Sequence, residues 1–368
     1  MQANIYTLLN YVGEFISINT TNFKHVEYTP PLWKQIFWCI FYSLMVIVAT
    51  GGNLIVIWII LMHKRMRTVT NYFLLNLSIA DALVSTINVI FNFIYMLYSH
   101  WPFGMIYCKL AQFVATLTIC ASVLSLMAIA VDRYLAIITP LKQRMSQKCT
   151  LIVITWTWIL GVVVALPNLW FFRADKVSRN SWRVSCYMQW PDGDTGKSKL
   201  ECIYNFSVMV FTYVIPISAM IFTYSRIAAV LWGSQCIGEN TERQMEIIKS
   251  KRKVVKMMMV VVTIFAICWL PYHFYFLVVF YFPSVSISSY IQDLYLFIYW
   301  LAMSNSMYNP IIYCWMNARF RCGFCRVFSF LPFVNFNPDS SARSSSKNTA
   351  GSFYGSDLSA TRSMRKNT

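Results

Sequence analysis

The chain has 368 residues, 57% hydrophobic and only 12% charged, with a formal net charge of +17. Soluble domains average about 25% charged residues, so the composition excludes an ordinary water-soluble protein. The apolar residues also fall in long uncharged blocks rather than at the spacing of a surface helix.

Residues 1–35 form a polar leading segment without the basic start, apolar run and small-residue cleavage site of a signal peptide. The first apolar block is therefore expected to act as its own insertion signal. Asn19-Thr20-Thr21 in this segment is a glycosylation sequon. Uncharged blocks then follow at Ile36–Met62, Leu110–Val131, Cys149–Phe172 and Cys202–Ser225. Two more lie at about 72–98, interrupted only by Asp81, and at 294–318. The stretch 257–292 is too long for one span and breaks near Pro283. About 20 apolar residues cross a ~30 Å hydrocarbon core as a helix. The expected fold is an all-α membrane protein, a seven-transmembrane helix bundle over residues 36–316.

Basic residues set the orientation. With the N-terminus outside, 22 of the 31 Lys and Arg fall on the inner side and none lies mid-span. The acids divide almost evenly, so the positive charge belongs to the inner face. It suits anionic lipid and an acidic cytosolic partner, and nucleic acid is not an expected partner. Of eleven cysteines, only Cys108 and Cys186 lie clearly in outer segments, with Cys202 as their rival. An oxidising exterior favours a Cys108–Cys186 disulfide.

Residues 317–328 mix basic and apolar side chains and are expected to form an amphipathic helix in the membrane interface. Cys322 and Cys325 there are candidate palmitoylation sites. The tail, 329–368, is rich in Ser and Thr and is expected to be disordered. It suits phosphorylation by a receptor kinase and arrestin recruitment.

A polar residue within the bilayer is a functional candidate by default. Asp81 is the sole acid in any span, and Asn53, Ser122, Asn305, Ser306 and Asn309 are placed to surround it. A buried carboxylate needs a proton, a cation or several donors. A Na⁺ or proton site at Asp81, Ser122, Asn305 and Asn309 is the functional reading, and a structural hydrogen-bond cluster the plain one. With four histidines in the chain and none paired, zinc or serine-hydrolase chemistry has no support, and no cofactor is expected. A transporter would want inverted repeats or charged pairs in the spans, and none is visible.

Asp132-Arg133-Tyr134 closes the third span at its inner end. Gly52-Asn53, Leu77 to Asp81, Trp158 with Pro167, Pro216 with Tyr224, Cys268-Trp269-Leu270-Pro271 and Asn309-Pro310-Ile311-Ile312-Tyr313 mark the other spans in order. Together they resemble the rhodopsin-like, G-protein-coupled receptors. The resemblance implies that Arg133 engages a heterotrimeric G protein. Pro216, Pro271 and Pro310 each remove a helix hydrogen bond and make hinges. Trp269 is then placed to sense a ligand, with Tyr224 and Tyr313 closing on Arg133 in the active packing. Many relatives place an acid at the base of helix six, where this chain has Lys251. Asp132 is left to hold Arg133, and appreciable basal signalling is expected.

The residue seven after Cys108 is Ala115, not the Asp of amine receptors, and the opsin lysine position is Met303. Ser250 to Met258, Phe265 to His273 and Tyr299 to Pro310 resemble the tachykinin receptors. Leu231-Trp232-Gly233-Ser234, Ile237 to Thr241 and Trp101-Pro102-Phe103-Gly104 resemble their arthropod branch. The resemblance covers about 35–326. It implies a plasma-membrane receptor for an amidated tachykinin-related neuropeptide, signalling through phospholipase C and calcium, with cyclic AMP as a second route. A natalisin-like peptide is the alternative. Ligand-facing positions carried over by the resemblance are Asn88, Asn92, Asn168, Asn205, His273, Phe276 and Tyr295. Asp293, Glu201, Asp192 and Asp194 are candidate partners for a ligand arginine.

Overall fold

The computed structural model describes residues 30–139, 145–177, 182–193, 198–233, 242–282 and 290–330. The sequon at Asn19, the break near Pro283, Ile237 to Thr241, Asp194 and most of the tail lie outside them.

Each uncharged block forms a helix, because in hydrocarbon every backbone polar group must be satisfied within the segment. The helices are α1 Leu32–Met62, α2 Val69–Tyr98, α3 Gly104–Ile138, α4 Gln147–Phe171, α5 Lys199–Gly233, α6 Glu242–Tyr281 and α7 Ile291–Met316. Oxygen-bearing N-caps start three of them: Thr68 accepts from the Asn71 N–H, Ser146 from Cys149 and Ser198 from Glu201. Six are long and apolar enough to cross a membrane by composition alone. The seventh, α7, falls short because Ser304, Asn305, Ser306 and Asn309 dilute it, and all four are buried.

The bundle is apolar outside and polar within. Ile40, Leu44 and Ile47 expose 61–68% of their surface along one face of α1, which suits lipid and not water. Inside, Asn53, Ser78, Asn92, Ser125 and Ser304 are fully buried. α3 is the central post, packing on α2, α4, α5 and α6, while α7 packs on α1, α2 and α6. Two π-helical turns, Val84–Val89 in α2 and Val210–Val214 in α5, widen the helices locally. The second lies directly before Pro216, whose missing N–H it accommodates.

The connection between α4 and α5 is not a plain loop. It folds into an antiparallel hairpin, β1 Phe172–Lys176 with β2 Val184–Met188, in which Ala174 faces Cys186. Cys186 is disulfide-bonded to Cys108 near the start of α3, with Cα atoms 5.8 Å apart. Beneath the hairpin, Tyr95, Trp101, Phe172, Met188 and Trp190 make a buried cluster. Trp101 is its centre: its N–H donates to the Val184 carbonyl at 2.8 Å and its Nε1 to the Gly104 carbonyl at 2.9 Å. Gly104 has φ of +78°, so Trp101-Pro102-Phe103-Gly104 is a lid-anchoring turn that needs glycine at its end.

A separate short helix, α8 Ala318–Val327, follows α7 and is capped by Asn317. Phe320 and Phe324, one turn apart, mark its apolar face, with arginines at 319, 321 and 326.

α1 and α7 touch at Gly52. A Cβ there would meet the Pro310 ring at 2.7–2.9 Å, whereas one on Gly51 would meet nothing. Gly52→Ala is therefore expected to lower the thermal midpoint of the purified protein, by about 1–3 kcal/mol of overpacking. Gly51→Ala leaves it unchanged or raised. Equal midpoints for the two variants would refute this packing.

Candidate functional site

Three polar assemblies run through the bundle from the hairpin end to the Arg133 end. Asp81, 1% exposed on α2, is the middle one. Its Oδ1 accepts from Ser122 Oγ and Ser306 Oγ, each at 3.2 Å, and its Oδ2 from Asn309 Nδ2 at 2.7 Å. The carboxylate thus ties α2 to α3 and α7. Asn53 joins indirectly, donating to the Ser306 carbonyl at 2.9 Å. Asn305 forms no hydrogen bond to Asp81; it lines the adjoining cavity, and Ser306 takes the bonding place. That cavity, about 10 Å³, reaches from Asp81 to Trp269 and is on the order of one water or small ion. Trp269 Nε1 is buried without a hydrogen-bond partner among the described residues.

Above Trp269 an aromatic run leads to the hairpin end. Trp269 meets Tyr272 at 5.6 Å, Tyr272 meets Phe276 at 4.9 Å and Phe276 meets Tyr295 at 6.3 Å. Tyr295 adjoins Tyr299 at 6.3 Å, whose hydroxyl donates to Asn88 Oδ1 at 2.7 Å. His273 packs on Tyr213 at 4.7 Å, beside Trp269.

The candidate asparagines fall into two kinds. Asn88, Asn92 and Asn168 are buried and bonded within the bundle. Asn88 donates to the Ala111 carbonyl, Asn92 accepts from Gln112 Nε2, and Asn168 donates to Thr116 Oγ1 while accepting from the Tyr204 hydroxyl. These amides hold α2 and α4 to α3, and α5 to α4. Asn205 differs: its Oδ1 is buried with no partner among the described residues. Gln112, Thr116, Tyr204 and Tyr299 complete the network and were not singled out from the sequence. Gln112, at the outer end of an apolar span, carried only a weak form of the signal that marks Asp81.

The candidate acids at the mouth are engaged as well. Asp293 pairs with Lys34 of α1 at 2.5 Å. Asp192 accepts from Ser198 Oγ and the Leu200 N–H, which holds its carboxyl below the usual carboxylate range. Glu201 is buried in the first turn of α5.

At the other end Arg133 donates to Asp132 Oδ2 through Nε at 3.1 Å and Nη2 at 2.6 Å, and to Thr70 Oγ1. Thr70 in turn donates to Asp132 Oδ2 at 2.8 Å. Lys251 is exposed. α6 is tethered instead by Arg252, which donates twice to the Leu231 carbonyl in the last turn of α5, at 2.9 and 2.7 Å. Tyr224 and Tyr313 are buried in α5 and α7, and Tyr134 is half-buried.

Residues 52–313 match the 7 transmembrane receptor (rhodopsin family) pattern. The chain belongs to that family. It is a rhodopsin-family receptor, a multi-pass plasma-membrane protein and not an enzyme. It is 54% identical over 329 residues to Tachykinin-like peptides receptor 99D of Drosophila melanogaster, covering 89% of this receptor and 63% of that one. It is 50% identical to Tachykinin-like peptides receptor 86C of Drosophila melanogaster, over 82% of this receptor and 60% of that one. It is 47% identical to the Neuromedin-K receptor of Rattus norvegicus, over 87% and 68%. The receptor thus spans under two thirds of the length of the two fly relatives. The resemblance to tachykinin receptors drawn from helices six and seven agrees with these names.

One titratable contact holds the hairpin down. His100 Nδ1 accepts from the Val184 N–H at 3.1 Å, so that nitrogen carries no proton. Burial and the nearby Arg183 cation hold His100 below its ordinary value. The folded receptor then binds this proton less readily than the unfolded chain, so stability rises with pH. The loss begins as pH falls below about 6.5 and levels off once the lowered folded value is passed. His100→Asn keeps an acceptor and removes the titration. The thermal midpoint of wild type is expected to fall between pH 7.5 and 5.5 by more than that of the variant. Parallel curves would reject the assignment.

Proposed function

We propose that this receptor binds an amidated, tachykinin-related neuropeptide at the hairpin end and couples to a heterotrimeric G protein at the Arg133 end. The N-terminus is extracellular in this reading, which puts most Lys and Arg in the cytosol. The observation that carries it is the unbroken run from Tyr295 through Phe276, Tyr272 and Trp269 to the Asp81 cavity. Apolar and aromatic walls with a few polar groups suit a peptide's side chains and amides, and the relatives' names supply the ligand class. Among the candidate polar contacts, Asn205 has an unspent acceptor and His273 sits over the run.

A ligand pressing on this run favours one of two packings of the bundle, which is a population shift and not a mechanical push. In the packing seen here, Asp132 and Thr70 hold Arg133 and Arg252 ties α6 to α5. Release of both contacts frees Arg133 for the G protein, with Tyr224 and Tyr313 as its new neighbours and Pro271 as the hinge. Asp81, Ser122 and Ser306 present oxygen donors around a cavity of one-ion size, which fits Na⁺. Bound there, the ion neutralises the carboxylate and favours the packing seen here. Glycosylation at Asn19, palmitoylation at Cys322 and Cys325, and regulation of the tail by kinase and arrestin complete the proposal.

Cells expressing the receptor are expected to give a calcium response at nanomolar concentrations of an amidated tachykinin-related peptide. Silence, with surface expression verified, would overturn the ligand assignment. Arg252→Ala and Thr70→Ala each remove one restraint, and ligand-independent calcium signalling is expected to rise several-fold in both. Basal signalling at the wild-type level in both variants would show that these contacts do not hold the resting packing.

A further inference from the structure

We infer that the paired ends of α5 and α6 form a binding site for the phosphorylated headgroup of an anionic phospholipid. Uncharged sequence stops at Arg226 on α5 and at Lys256 on α6. The Arg252 contact to the Leu231 carbonyl lies four to five residues beyond each of these. At 1.5 Å per residue that is about 6–8 Å, the depth of the headgroup layer outside a ~30 Å core. Trp232, 40% exposed, sits at this level, as interfacial tryptophans do.

Two cations flank its ring. The Arg252 guanidinium carbon is 5.6 Å from the ring centroid and Lys256 Nζ is 6.0 Å away. Helical spacing puts Lys249 and Lys253 on the same side of α6 as Arg252 and Lys256. Lys249, Lys253 and Lys256 are all exposed, and among the described residues none has an ion-pair partner. Glu246, one turn beyond Lys249, forms no described ion pair either. The backbone positions of Lys256 and Lys249 are roughly 10 Å apart along α6 by helix rise, and Lys256 Nζ reaches out to the level of Trp232.

That spacing exceeds a single phosphodiester and matches an inositol headgroup carrying additional phosphates. Trp232 would pack beside the phosphodiester, with Lys256 on that phosphate and Lys249 and Lys253 on the outer phosphates. Arg252 spends Nε and Nη2 on Leu231, so its role is to brace Trp232. A lipid lodged here would bridge the two helices that the Arg252 tether joins. The orientation proposed above decides only which leaflet supplies the lipid.

The test is native mass spectrometry of the purified full chain with phosphatidylinositol 4,5-bisphosphate, phosphatidylcholine or soluble inositol trisphosphate. Wild type is expected to retain the bisphosphate lipid in preference to phosphatidylcholine and to hold the soluble headgroup far more weakly. Lys249→Gln, Lys253→Gln and Lys256→Gln combined should lower lipid affinity at least tenfold, since each surface cation is worth about fivefold. The three Lys→Arg changes should restore it, and Trp232→Leu should reduce it with the charges intact. Equal retention by the Gln variant and wild type would overturn the site. Soluble headgroup bound as tightly as lipid would reassign it to free phosphate. Unchanged lipid retention with lost coupling to purified G protein would make it a protein-docking surface instead.

Discussion

A polar group buried in hydrocarbon must find its partner inside the bundle, and this constraint organises the structure. Asp81 shows it best. One carboxylate accepts three hydrogen bonds from two other helices, so the packing of α2, α3 and α7 is specified by polar satisfaction more than by apolar fit. The same rule places Asn88, Asn92 and Asn168, whose amides close the spaces around α3. Lipid offers no hydrophobic force to drive helices together. Interior hydrogen bonds and close small-residue contacts take over that role, and they also define which rearrangements are open to the bundle.

The hairpin end is governed by a different force, since it faces water and can use a conventional apolar core. Trp101, Tyr95, Phe172 and Met188 form that core, and the disulfide anchors it to α3. The lid is thus a small folded unit in its own right. Its Trp190 meets Tyr204, which also bonds Asn168 in the polar network below, so the two are joined at that side chain.

Much of the fold was legible from charge and hydropathy. The blocks without Lys, Arg, Asp or Glu are the helices of the structure. α7 was harder, since its buried Ser and Asn residues lower the hydropathy that marks a span. The hairpin was missed because β2 is only five residues long and its pattern of buried and half-exposed positions is too short to stand out. At the site, Asp81 is visible as a polar residue where none is cheap, and Asp132-Arg133 through the family resemblance. Asn88 and Asn92 are ligand-facing positions by family resemblance, and the structure adds that their amides bond within the bundle. Which side an amide faces depends on the partner helix, and no single segment encodes that. The Arg252 tether was likewise hidden: a basic residue among five looks like solvated charge until the end of α5 arrives beside it.

The contact between Gly52 and the Pro310 ring has a mechanical meaning. It leaves no slack between α1 and α7, so this side of the molecule behaves as a stator. On the opposite side, α5 and α6 meet through a tether at their ends and through side chains along an otherwise looser seam. Displacement is therefore apportioned unequally around the ring of helices. A disturbance arriving at Trp269 finds one wall that does not yield and another that does, and so emerges with a direction.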